Sequence, residues 1–124
     1  MLNLITILFL TIPPFNGEHC TTQDKDFSEF RYEEQIPICS RNVSTKRKNT
    51  ICKRDGIYNR KDYIVDHIIP LSLGGNNSDY NLWCQHKSIN TVDIEGYAYR
   101  MLLTGEWGSE QAKEYVRNYK FNLN

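Results

Sequence analysis

The chain carries no net charge, because its 15 lysine and arginine residues are balanced by 15 aspartate and glutamate residues. It has no internal repeat, no low-complexity tract and no cysteine pair with C-x-x-C spacing. These absences argue against repeat architectures and against a structural zinc site of the usual kind. With 124 residues, 40% hydrophobic and 24% charged, the chain supports one globular domain with a modest core.

No apolar run is long enough to span a bilayer. The first dozen residues, MLNLITILFLTI, are almost wholly apolar and carry no charged side chain, and Pro13-Pro14 end the run. A run of this length is typical of the hydrophobic region of a signal peptide. Residues 1–17 are therefore predicted to be a signal peptide, and the protein to be exported, periplasmic or secreted, with no stable membrane insertion after processing. An uncleaved anchor and a buried N-terminal strand are the alternatives.

The cysteine count agrees with an oxidising compartment. Four cysteines follow the predicted signal peptide, and an even number in an exported chain indicates up to two disulfides. Three pairings are open, and isolated buried thiols are the alternative. The cysteines are Cys20, Cys39, Cys52 and Cys84.

The neutral total hides one basic segment, residues 41–61, which has eight basic residues against one acid, Asp55. The flanking segments, residues 18–40 and 62–124, are both net acidic. A basic segment is either a solvated helix face or a surface that meets phosphates. The candidate nucleic-acid-binding residues are Arg41, Lys46, Arg47, Lys48, Lys53 and Arg54.

The predicted fold class is α+β. Residues 18–37 are polar and acidic and are expected to be a loosely structured lead-in with one short helix over Lys25–Glu34. The domain over residues 38–124 follows, with a preceding basic helix and C-terminal helices around a core at about residues 62–104. The predicted elements are an extended segment at Ile36–Cys39, a helix over Lys46–Arg54, strands at Tyr63–Ile69 and Asn81–Cys84, and helices over Ser88–Leu103 and Ser109–Lys120.

Polar side chains recur at fixed offsets in the segment YIVDHIIPLSLGGNNSDYNLWCQHKSIN. Asp66-His67 close an apolar, β-branched run, Asn81 follows a Gly-Gly-Asn-Asn loop, and Asn90 lies in a segment that can start a helix. Each of these residues taken alone is ordinarily structural. Their combination on a strand, a loop and a helix can bring all four side chains to one point.

Phosphodiester hydrolysis requires such a point. A divalent cation offsets charge on the scissile phosphate, and a general base takes a proton from water. The carboxylate of Asp66 and the amide oxygen of Asn90 suit Mg²⁺ or another hard cation. His67 has the side chain best matched to proton abstraction at neutral pH, and Asn81 can fix the ends of the loop and the histidine.

The segment DHIIPLSLGGNNSDYNLW, together with Asn90, resembles the HNH endonuclease family. The ββα-metal (His-Me finger) core of that family binds one divalent ion and cuts DNA. The resemblance covers about residues 38–120 and is to small bacterial proteins with Asn in the last position of the motif. It implies that His67 is the general base, that Asn81 holds the loop and orients that base, and that Asp66 and Asn90 bind the metal.

The chain departs from the family pattern at three places. Cys84 stands where such proteins often have proline, and a lysine common after the last Asn is missing, with Ile94-Glu95 present instead. The paired zinc-binding cysteines of larger family members are absent. His86 is a competing metal ligand, although its position fits less well than that of Asn90.

We therefore predict a small exported endonuclease that acts on DNA through backbone contacts, with low sequence specificity and one divalent ion. Mg²⁺ is the default ion, and Mn²⁺, Ni²⁺ or Zn²⁺ could serve. Two other classes of protein fit the same residues. One is a non-catalytic nucleic-acid-binding module stabilised by disulfides or a metal, and the other is a nuclease subunit that needs a partner for specificity.

Overall fold

In a computed structural model of the protein, residues 15–89 and 92–121 are described. They form a small mixed α+β structure with two two-stranded antiparallel sheets and three α-helices. The elements are β1 (Phe27–Arg31), β2 (Ile36–Cys39), α1 (Thr45–Arg54), β3 (Tyr63–His67), β4 (Leu82–His86), α2 (Val92–Leu103) and α3 (Ser109–Phe121), with 3-10 turns at Leu71–Leu73 and Asp79–Asn81.

The predicted helix over Lys25–Glu34 is wrong, because β1 occupies this segment and pairs with β2 as a hairpin. Phe27 lies opposite Cys39, and Arg31 lies opposite Ile36. The hydrogen-bond partner of β1 is a later segment of the chain, so the local polar pattern could not reveal the strand. The extended segment predicted at Ile36–Cys39 is confirmed as β2.

The basic helix is confirmed as α1. Ser44 caps it, with its hydroxyl accepting a hydrogen bond from the backbone amide of Arg47 at 3.1 Å. Gly56, at φ +88°, provides the left-handed residue after the helix end. The helix buries Ile51 and Cys52 and leaves most of its charged side chains outside.

Strands β3 and β4 pair antiparallel, with Asp66 opposite Trp83 and His67 opposite Leu82. Both strands are confirmed, with ends that differ by two residues from the predicted ones. The loop between them passes close to its own start at Gly75. A Cβ atom there would lie 1.9 Å from the carbonyl oxygen of Ile69, so only glycine allows this approach.

Helices α2 and α3 pack against each other and form the main apolar core with the loop after β3. The start predicted at Ser88 is too early, since residues 87–89 form a turn and α2 begins at Val92. The last helix is confirmed at Ser109–Phe121. The buried core residues are Ile69, Leu73, Ala98, Leu102, Ala112 and Val116.

Two disulfides join distant segments. Cys20 pairs with Cys39 and ties the chain before β1 to β2, whereas Cys52 pairs with Cys84 and ties α1 to β4. The structure thus has one of the three pairings that the sequence leaves open. In the described part of the chain, no helix has both the length and the apolar content needed to cross a membrane.

Candidate active site

Asp66 and His67 are the last two residues of β3, and both line a cleft of about 500 Å³. Successive side chains of a regular strand point to opposite faces. Both side chains nevertheless line one cleft, at the point where β3 ends. The amide of Ile68 still donates to the carbonyl of Asn81 at 2.8 Å, which continues the pairing with β4 by one residue before Pro70. The strand ends at His67, two residues before the predicted end at Ile69.

The imidazole of His67 is oriented by Asn77. Its Nε2 lies 3.0 Å from Oδ1 of Asn77, and the ring is almost fully buried, at 5% exposure. The amide nitrogen of Asn77 donates to Oδ2 of Asp26 at 3.0 Å and to the carbonyl of Ser40 at 2.7 Å. Both of these are acceptors, so Oδ1 of Asn77 must face the ring and Nε2 must carry the proton. The neutral ring then has its lone pair at Nδ1.

Asn81 holds the loop, but it does not contact the imidazole. Its Oδ1 accepts hydrogen bonds from the amides of Ile69, at 2.9 Å, and Glu18, at 3.1 Å. Its Nδ2 donates to the carbonyls of Ile69, at 3.1 Å, and Asn76, at 2.8 Å. The prediction that Asn81 also orients His67 is therefore wrong, because no hydrogen bond joins these two side chains. The residue bonded to the imidazole is Asn77.

Asp66 is held from its inner side. Its Oδ2 accepts hydrogen bonds from the indole Nε1 of Trp83, at 2.9 Å, and from Nζ of Lys120, at 2.7 Å. No described residue forms a hydrogen bond with Oδ1. One carboxylate oxygen is thus fixed by the protein, and the other has coordination capacity left.

Glu95 of α2 lies beside Asp66 and lines the same cleft. Its Oε1 lies 3.0 Å from Nζ of Lys120, and this pair is an ion contact without hydrogen-bond alignment. The ammonium group has three protons, and three other oxygens already accept them. The buried Oε1 atom therefore has no hydrogen-bond donor among the described residues.

Burial shifts two of these groups. Desolvation lowers the pKa of His67 below its ordinary value, assisted by the nearby charges of Arg41 and Lys120 and opposed by the hydrogen bond with Asn77. Desolvation raises the pKa of Glu95, while Lys120 lowers it. A buried imidazole with a lowered pKa is neutral over a wider pH range, which is the state a general base requires.

Two basic residues also line the cleft. Arg31 at the end of β1 and Arg41 after β2 are among the residues that line it together with Asp66 and His67. Arg41 is exposed and has no hydrogen-bond or ion-pair partner among the described residues. The cleft therefore combines carboxylate and imidazole groups with guanidinium groups.

The donor set fits a hard divalent cation. Asp66 and Glu95 supply carboxylate oxygens, and Oδ1 of Asp66 has no hydrogen-bond donor among the described residues. Asn90, the second predicted metal ligand, lies outside the described residues, and its role stays a prediction. His86 pairs with Tyr63 at the far end of the sheet, four register positions from His67, or about 13 Å along the strand.

One further group of metal-binding residue types occurs in the described chain, and one member of it, Cys39, also lines the cleft. It consists of Cys20, Asp24 and Cys39. Because the two cysteines form a disulfide, they offer no thiolate ligands. This group does not fit a metal.

The basic residues of α1 fall into two sets. Arg54 donates to the carbonyls of Asp79, at 2.6 Å, and Leu82, at 2.7 Å. Arg47 donates to Oδ1 of Asp79 at 2.8 Å and to the carbonyl of Asn77. These two guanidinium groups hold the loop before β4. The exposed lysines Lys46 and Lys53, with the half-buried Lys48, have no such partners in the described structure.

Comparison of the chain with protein-family models, with curated proteins and with solved structures gives no match. The geometry of the cleft is therefore the basis for a proposal of function.

Four residues that line the cleft or hold its side chains are not predicted from the sequence. Asn77 is the second asparagine of the Gly-Gly-Asn-Asn loop, and its place in that loop is the feature of the sequence that could have indicated it. Glu95 was noted only as a departure from the family pattern. Asp26 and Lys120 gave no signal, because they reach the site from distant parts of the chain.

Proposed function

We propose that the protein is a metal-dependent endonuclease that hydrolyses phosphodiester bonds of DNA, with His67 as the general base. The observation that carries this proposal is the fixed tautomer of His67. Oδ1 of Asn77 accepts the hydrogen bond from the Nε2–H group, which leaves the lone pair of Nδ1 to accept a proton from water in a cleft lined by Asp66 and Arg41. A buried structural histidine would also need a partner for its N–H group, so the proposal rests on the cleft beside the ring as well as on the bond to Asn77.

The residues divide the chemistry among themselves. Asp66 and Glu95, with Asn90 as the predicted further ligand, would hold one divalent ion, Mg²⁺ by default. When bound, the ion would offset charge on the scissile phosphate and the leaving oxygen. Arg41 supplies a free guanidinium that can bind a phosphate oxygen beside His67.

This site lies in a β3–β4–α2 succession, which is the order of a ββα-metal core, and the assignment to the HNH family remains part of this proposal. Low sequence specificity follows from binding through lysine and arginine side chains to the phosphate backbone. Two disulfides support the proposed export, since such bonds persist in oxidising compartments.

A plasmid nicking assay tests the proposal. The purified protein should nick supercoiled DNA with Mg²⁺ and not with EDTA, and His67→Ala should lower the rate at least about 100-fold, which is the usual contribution of a general base. His86→Ala is the matched control, since it removes an exposed histidine distant from the cleft. Nicking that persists unchanged in His67→Ala would contradict the mechanism, and no metal-dependent nicking by the unmutated protein would favour the binding module.

A further inference from the structure

Lys120 is a fully buried lysine, with 0% of its side chain exposed. It lies near the end of α3, and its Nζ atom donates to Oδ2 of Asp66 at 2.7 Å, to the carbonyl of His67 at 2.7 Å and to that of Ile68 at 3.3 Å. These three acceptors match the three protons of an ammonium group. Glu95 is then a fourth neighbour, held by charge alone.

We propose that Lys120 is a positioning residue with a built-in positive charge, which keeps the carboxylates of Asp66 and Glu95 assembled when no metal is bound. The inference rests on the proposed function in that the two carboxylates are taken to bind the divalent ion. It goes further by proposing that one residue of α3, Lys120, balances the negative charges of Asp66 and Glu95.

The charge balance gives the physical reason. Two carboxylates that are mostly shielded from water repel each other and lose hydration, and this arrangement needs a nearby cation. Lys120 approaches from the interior, whereas a divalent ion would enter from the cleft. The ammonium takes one oxygen of Asp66 and lies against Oε1 of Glu95, so the remaining oxygens are left for the ion.

The carbonyl contacts give Lys120 its positioning role. The bonds to His67 and Ile68 hold the backbone where β3 ends and where Asp66 and His67 turn into one cleft. Any buried ammonium needs acceptors, and here all three acceptors belong to consecutive residues at the end of β3. The last helix thereby becomes part of the active site.

Thermal unfolding of Lys120→Met in EDTA and in Mg²⁺ tests this inference without measuring activity. In EDTA the variant should unfold at a clearly lower temperature than the unmutated protein. Mg²⁺ should then raise its midpoint by about 5 °C or more beyond the shift seen in the unmutated protein, because the ion replaces the lost charge.

Lys113→Met is the matched control. Lys113 is a second buried lysine on α3, and it contacts His19 and Glu110 rather than the cleft. Its substitution should cost stability to the same extent in both buffers. Equal Mg²⁺ responses in the two variants would overturn the inference, because a packing role alone predicts them.

A double variant keeps the inference testable if Lys120→Met does not fold. Lys120→Met with Asp66→Asn removes one charge of each sign, so it should be more stable in EDTA than Lys120→Met alone and should lose the Mg²⁺ response. A double variant as unstable as the single one would overturn the charge-balancing role. These outcomes are independent of nicking, so failure of the inference and failure of the proposed function are distinguishable.

Discussion

At the scale of single residues, the orientation of His67 depends on a loop ten residues further along the chain. Asn77 has only one amide arrangement that satisfies its neighbours, since its nitrogen faces Asp26 and Ser40. The proton position on His67 follows from that arrangement. An amide fixed on both sides can therefore set the tautomer of a base without being charged.

Asn77→Ala should lower kcat about 10- to 100-fold with little change in KM, because the imidazole loses its orienting bond. The acid limb of the pH profile of kcat/KM should lie below about 6.5 in the unmutated protein, since burial lowers the pKa of His67 and the base must be neutral. The hydrogen bond with Asn77 raises that pKa, so its removal should move the limb to still lower pH.

Asn76→Ala is the control for this prediction. Asn76 is also buried and bonded to Glu18 and His19, but it does not contact His67. Both variants should lose thermal stability, and only Asn77→Ala should lose kcat. An equal kcat loss in both variants would show that the ring is oriented in another way. An acid limb above 6.5 in the unmutated protein would contradict the lowered pKa of His67.

At the scale of elements, the hairpin and the last helix are coupled through Glu34. The carboxylate of Glu34, in the turn between β1 and β2, accepts hydrogen bonds from the amide of Ser109 at 2.7 Å and from its hydroxyl at 2.8 Å. It thereby caps the start of α3, where a negative charge is favourable. Since α3 carries Lys120, the hairpin helps to fix the helix that reaches the site.

Glu34→Ala should lower the free energy of unfolding by about 1 kcal/mol, because the first turn of α3 loses an acceptor for its amide. Glu33→Ala is the control, since Glu33 is exposed and has no hydrogen-bond partner among the described residues. Urea unfolding followed by circular dichroism measures both variants. A loss as large in Glu33→Ala would indicate that the turn itself, and not the cap, is responsible.

At the scale of the whole molecule, the zero net charge divides into a basic surface and acidic flanks. The basic residues of this surface differ in whether their side chains form hydrogen bonds within the protein. Arg47 and Arg54 hold the loop before β4, whereas Lys46 and Lys53 are exposed and without internal partners in the described chain. Contact with DNA phosphates is therefore expected mainly from the lysines and Arg41.

Lys46→Ala should weaken DNA binding and reduce the slope of log affinity against log salt by about 0.9, the value for one phosphate contact. Its thermal stability should not change. Arg54→Ala should instead lower the unfolding temperature, because the carbonyls of Asp79 and Leu82 lose their donor. Fluorescence anisotropy in EDTA at several salt concentrations measures binding without cleavage. A salt slope unchanged by Lys46→Ala would place the DNA elsewhere.

The sequence by itself determined the features that depend on neighbouring residues. The cap at Ser44, the left-handed Gly56, the end of β3 near Pro70 and the last helix could all be predicted, because capping, turn chemistry and apolar periodicity act within a few residues. The placement of Asp66 and His67 at a strand end belongs to the same class. The prediction that Asn81 holds the loop is also based on the local sequence, and its hydrogen bonds to Ile69 and Asn76 agree with it.

The tertiary structure decided the rest, because it depends on groups far apart in the chain. The two disulfides join residues 19 and 32 positions apart, and the sequence could not choose between the three possible pairings. Asp26 and Lys120 reach the site from 41 positions before His67 and 53 after it. A buried charge or a fixed tautomer is a property of the whole set of neighbours, and only the folded chain brings those neighbours together.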